Sequence, residues 1–328
     1  MMKGWFILLA LLPCSWSAYA GEENVMHIGD QPVVLTGEER EAPWPNGDFQ
    51  SLVIPIKRAA NLILIEAEVD GQKGNFILDF GAPYLVLNQT YFRDFRNDYT
   101  ARVGSATGQG SFAKRKVADQ LTFHGLDYVE VDADVTPLGH IEDSRGVKIL
   151  GLLGVNLFLE FEVELDVQRD VMYLYRLDED GERLEEKRPE TPLLTEVDLD
   201  VENNVIFLWG TVAGKQLLFN LDTAAETVVL TNTIPGKVKR TLKIENRTYM
   251  KGANGQTVPV FQGRMPSLDI GDQTFRNMRV IMTNLSSMRE AYGRNISGML
   301  GYDFLSQGIV SINLKTETLR VYSYFTNG

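Results

Sequence analysis

"NFILDFGAPYLVLN", residues 75–88, sets one acid in an apolar frame: a hydrophobic run ends at Asp79, turns through Gly81 and resumes. An acid at the end of a buried strand costs free energy unless something pairs or uses it. A second stretch, "LFNLDTAAETVVLT" at 218–231, repeats the pattern around Asp222. A lone Asp at a turn is ordinary, because its side chain bonds its own backbone. Two in matched apolar frames indicate a pair.

The match extends in both directions, the signature of an internal repeat. Aligning Val69 with Val212 brings Gly71 onto Gly214, Phe76 onto Phe219, Asp79 onto Asp222, Ala82 onto Ala225 and Leu87 onto Leu230. After a short length change, Gly108-Gln109 meets Gly255-Gln256. "GLLGVNLF" (151–158) then meets "GMLGYDFL" (298–305), and "FEVELDVQRDVMYLY" (161–175) meets "GIVSINLKTETLRVY" (308–322).

Each copy reads as β. "NLILIEAEVDGQKGNFIL" (61–78) is two apolar or alternating runs around a Gly-containing turn, a hairpin pattern, and 161–177 repeats the idea. Short helices are expected at "NQTYFRDF" (88–95), "GVNLFLE" (154–160) and "GYDFLSQ" (301–307). The layout that follows is a leader at 1–20, an extended arm at 21–50, one lobe at 51–177, a charged linker at 178–192 and a second lobe at 193–328.

The leader pattern is Lys3, a short apolar stretch and the small-x-small "AYA" before Gly21, as in a secretory signal. No later stretch is long and apolar enough for a membrane helix. The one cysteine, Cys14, lies in the leader, so no disulfide is expected in the remainder. Export to a bacterial periplasm or secretion is the expectation. Lipid attachment through Cys14 is the alternative, which Pro13 disfavours. With 44 acidic against 32 basic residues, net −12, and no basic stripe, nucleic acid is disfavoured as a partner. His27, His124 and His140 show no metal-ligand spacing, and no metal or cofactor is expected. The "DFG" at 79–81 has no accompanying phosphate loop or catalytic-loop motif of a kinase.

Two units related by a pseudo-twofold axis would bring the two Asp turns face to face. Carboxyl groups a few ångströms apart share a proton. The ionised one can activate water while the protonated one donates to a carbonyl oxygen, which is acid–base hydrolysis without a metal.

The chain resembles the aspartic peptidases of the pepsin and retropepsin type. The resemblance rests on "ILDFGA" and "NLDTAA" as the Asp loops, and on "LLG" (152–154) and "MLG" (299–301) as the apolar-apolar-Gly elements behind them. "VGSATGQG" (103–110) and "KGANGQT" (251–257) stand where the flap hairpins belong. It implies an all-β fold of two pseudo-twofold-related lobes around a cleft, closer to a tandem fusion of retroviral-type subunits than to pepsin. It also implies Asp79 and Asp222 as catalytic residues. Gly81, Thr223, Ala224, Gly108, Gln109, Gly255 and Gln256 would contact a peptide or protein substrate, and the chain would act as a monomer.

Two departures stand out. Thr223 keeps the hydroxyl that braces one loop against the other in that family, but Phe80 lacks it. Gly81 keeps the family's glycine, but Ala224 adds a methyl group. Phe80 is expected to pack between the lobes in place of the missing hydrogen bond. An aspartic endopeptidase is the reading, with a peptide- or protein-binding relative of weakened activity as the alternative.

Overall fold

The computed structural model describes residues 40–93, 100–104, 111–185, 187–251 and 257–325, with three short strands before residue 40. The leader, most of the arm and both hairpin tips, 105–110 and 252–256, lie outside the described residues, as do the side chains of Cys14 and His27.

The fold is nearly all β. Strands Leu62–Val69 and Gln72–Leu78 pair antiparallel through Asp70 and Gly71. Both turn residues have positive φ, 49° and 78°. That is the tight two-residue turn whose twist suits a hairpin. Ala213 and Gly214, at 51° and 70°, make the same turn in the second copy.

In the first lobe these strands close a barrel with Ile149–Leu153, Leu85–Asn88, Leu126–Thr136 and Ser111–Phe123, which returns to Leu62–Val69. In the second lobe, Val205–Val212, Lys215–Leu221, Gly298–Leu300, Val228–Thr231, Gln273–Thr283 and Thr257–Ile270 form the same ring. Closure removes sheet edges and fills each interior with side chains such as Phe76, Leu121 and Tyr128, or Phe219, Leu268 and Phe275.

The 161–176 and 309–322 hairpins leave their lobes and join one six-stranded sheet between them. At its centre Phe161–Asp166 pairs antiparallel with Ile309–Asn313, setting Val163 opposite Ile312 and Glu164 opposite Ser311. The alternation puts Val163, Leu165, Val310 and Ile312 on one face. The polar face is covered as well: Glu162, Glu164, Ser311 and Asn313 are all buried.

Its cover comes from the stretch read as a charged linker. Arg183 inserts its guanidinium over the Tyr175 ring, 3.7 Å from the centroid, and donates to Glu162, Glu164 and Ser311 at 2.8, 3.0 and 3.2 Å. An ion cluster is a favourable way to bury charge only when each member is paired. Asp166 and Asn313 close the turns after their strands, accepting from Arg169 N–H and from Lys315 and Thr316 N–H.

The helices differ in part from expectation. A 3-10 turn at Val155–Leu157 and a helix at Tyr302–Leu305 occupy two of the expected places. Residues 88–91 form a strand end and a turn, not a helix, because Asn88 spends its side chain on the Thr90 and Leu138 amides and the Ile149 carbonyl. Gly139–Arg145 and Ser286–Tyr292 are repeat-related helices that no apolar periodicity announced.

Candidate active site

Each Asp loop is held from behind by the apolar-apolar-Gly element. Ile149–Leu153 runs parallel to Gln72–Leu78 and antiparallel to Leu85–Asn88, threading between the two limbs of the Asp79 loop. The Asp79 N–H donates to Leu153 O at 3.0 Å, and the Asp222 N–H donates to Leu300 O at 2.9 Å. A β-carbon on Gly154 would sit 2.2 Å from Tyr84 O, and one on Gly301 2.0 Å from Ala225 O. Only glycine permits that approach, which explains both "LG" steps.

The two acids come together at the lobe interface, fully buried and within hydrogen-bonding reach of each other. Asp79 Oδ1 accepts from the Gly81 N–H at 2.9 Å. Asp222 Oδ1 accepts from the Ala224 and Ala225 N–H groups at 2.9 and 3.0 Å. Neither Oδ2 has a protein N–H donor among the described residues.

Burial, the charge of Asp222 and a hydrogen bond to Asp222 push Asp79 well above the usual carboxylate range, against the Gly81 and Ala82 amides. Burial also pushes Asp222 up, to about 6, opposed by the Ala224 and Ala225 amides and by the bond from Asp79. Both acids are pushed up, so the pair holds one proton between them, and Asp222 Oδ1 has two amide donors against one for Asp79 Oδ1.

The bracing is one-sided. Thr223 Oγ1 accepts from the Phe80 N–H at 2.9 Å and donates to Leu78 O at 2.7 Å. The Phe80 side chain has no hydroxyl to return to the Asp222 loop. Its ring is fully buried, tilted against Phe158 at 5.5 Å between centroids. Phe158 belongs to the same lobe, so this aromatic contact is within the lobe and not the interlobe packing expected from sequence.

Gly81 lies against the other acid: a β-carbon there would be 2.7 Å from Asp222 Cγ. Ala224, its repeat equivalent, sends its methyl into a cluster otherwise built from the first lobe, including Leu62, Leu152 and Ile141. The added methyl is therefore interlobe packing.

Gly108, Gln109, Gly255 and Gln256 lie outside the described residues, although the hairpin strands that flank them pair as hairpins should. His124 is exposed in a turn and His140 stands on the first helix. Sequence reasoning missed Glu226, which reaches Asn61 and Arg145 across the interface. Its one local signal was an acid between Ala225 and the apolar run 228–230, where the first copy has Pro83.

The sequence model of the family described as aspartyl protease matches residues 65–157 and 209–304, one match per copy. No curated protein sequence matches. Among solved structures, Basic 7S globulin from soybean is similar over 84% of this chain and 95% of its own, at 12% identity and a TM-score of 0.50. At that identity the likeness concerns the fold.

Proposed function

This chain belongs to the aspartyl protease family, and we propose that it hydrolyses peptide bonds with a water activated between Asp79 and Asp222. The observation that carries the reading is the buried pair itself: two carboxyl groups from repeat-related loops, within reach of each other, each pushed above the ordinary Asp range. Asp222, ionised, removes a proton from the water as it attacks the carbonyl carbon. Asp79 donates its proton to the carbonyl oxygen, giving a neutral diol. Asp222 then passes its proton to the amide nitrogen, the C–N bond breaks, and Asp79 recovers a proton from a diol hydroxyl. The cycle balances without a metal or covalent intermediate.

Incubating the protein with a diverse peptide mixture across acidic and neutral pH tests this. Cleavage is expected in the wild type and is lost in Asp79→Asn and Asp222→Asn. Turnover that survives either substitution overturns the two-carboxylate mechanism. Phe80, which removes half of the loop brace, supports a second reading, a cleft that binds peptides without cutting them. Peptide binding without cleavage at any pH would favour it. The leader pattern supports export, and N-terminal sequencing of protein recovered from its source is expected to start at Gly21.

A further inference from the structure

We propose that Glu226 and Arg145 form a positioning clamp for Asp222, taking over across the lobe interface the half of the loop brace that Phe80 removes. The proposal rests on the peptidase reading for its role in turnover.

Glu226 lies on the same loop as Asp222, just beyond the two amides, Ala224 and Ala225, that hold the Asp222 carboxylate. It is buried, and it pairs with Arg145 at the end of the first-lobe helix Gly139–Arg145. Its carboxylate also accepts from the Asn61 N–H at 3.3 Å, and its carbonyl oxygen accepts from Asn61 Nδ2 at 3.1 Å. The loop from 223 to 226 is thus fastened to the first lobe three times: by the Thr223 hydroxyl, by the Ala224 methyl in a first-lobe apolar cluster, and by Glu226.

The repeat shows that this fastening is one-sided. The equivalents of Glu226 and Arg145 are Pro83 and Tyr292, which cannot form an ion pair. The loop that lost its reciprocal hydroxyl contact is the one that gained the clamp. A partly buried ion pair adds little net stability over apolar side chains of the same size, since desolvation offsets attraction. What such a pair supplies is a fixed direction, because a carboxylate held by a guanidinium and an amide has few orientations open to it. Fixing residue 226 fixes the 224 and 225 amides, and these aim the Asp222 carboxylate.

The test compares Glu226→Gln, Arg145→Met and Arg145→Lys with Arg183→Met, which removes an ion pair to Glu162 and Glu164 on the interlobe sheet. Readouts are kcat, KM, the pH–rate profile, Tm, and the 13C chemical shift and titration of the Asp222 carboxyl. Glu226→Gln and Arg145→Met are expected to lower kcat by roughly 10- to 100-fold with KM within about twofold, and to move the pH profile. Arg145→Lys, which keeps the charge, is expected to recover part of the loss. The Asp222 carboxyl should titrate differently in both clamp variants and as in the wild type in Arg183→Met. Lowered Tm with unchanged kcat, pH profile and carboxyl titration would overturn the clamp and leave a structural ion pair. If the wild type cleaves no peptide, the peptidase reading fails, and the carboxyl titration still decides whether the clamp aims Asp222.

Discussion

The hydroxyl of Thr223 makes two hydrogen bonds to the opposing loop, accepting from the Phe80 amide and donating to the Leu78 carbonyl, and Phe80 returns neither. One loop therefore holds the other through a single side chain. All three partners are buried, so each bond is shielded from water, and losing one would strand a polar group in the interior.

Thr223→Val keeps the shape and removes both bonds, leaving the Phe80 N–H and the Leu78 carbonyl without a partner. Each stranded group costs about 1–3 kcal/mol. Unfolding in urea should show a combined loss of about 2–6 kcal/mol, and peptide cleavage should fall further than stability alone explains. Unchanged kcat in the folded variant would show that the brace does not aim the acids.

Phe80→Thr restores the hydroxyl found in the second copy but empties the space beside Phe158. Truncating a buried Phe typically costs about 3–5 kcal/mol, against about 0.5–1.5 kcal/mol for a regained hydrogen bond. A lower melting temperature is expected. A raised one would mean that the phenyl ring is not a packing element.

Gly81→Ala would place a methyl carbon 2.7 Å from Asp222 Cγ, closer than any relaxed contact. Either the loop or the carboxylate must move. Because displacements near 1 Å can cost about 100-fold in rate, kcat should fall by about that factor while far-UV circular dichroism stays native. Full activity would show that the loop has slack on this side.

The dyad makes the fold sensitive to pH in a stated direction. Both acids titrate higher in the folded chain than in the unfolded one, Asp222 at about 6 and Asp79 above its ordinary range. The folded state then holds more protons, so this contribution is present below the ordinary Asp value and is lost as pH rises through the folded values. Urea midpoints of the wild type should fall relative to Asp79→Asn/Asp222→Asn as pH rises from about 4 to 7. Parallel curves would remove the buried-pair description.

Arg183→Met should cost about 3–5 kcal/mol at neutral pH, because Glu162 and Glu164 stay buried without their main cation. Burial raises Glu162, but Arg183, Ser311 and Arg188 outweigh it and hold that carboxyl at about 2. Its stabilisation is present above the ordinary Glu value and is lost as pH falls toward 2. Burial leaves Glu164 raised despite Arg183, so its contribution runs the other way and is lost as pH rises. With Arg183 gone both carboxyls move up from where Arg183 holds them. The penalty should therefore be large at pH 7 and small near pH 3, read by urea unfolding at both values.

The amino-acid sequence alone determined that the chain is a tandem β repeat with an acid in each apolar frame, and that a glycine follows each "LL" or "ML" step. Those features are local: a two-residue turn needs positive φ where Asp70 and Gly71 stand, and a strand threading past Tyr84 has no room for a β-carbon at 154. Only the tertiary structure decided that Glu226 reaches across to the first lobe, and where the charged stretch 178–192 goes. Arg183 and Ser311, or Arg145 and Glu226, are far apart in the chain, and no periodicity links them. A buried charge is stable where a distant partner happens to be brought to it, and that proximity is a property of the folded chain.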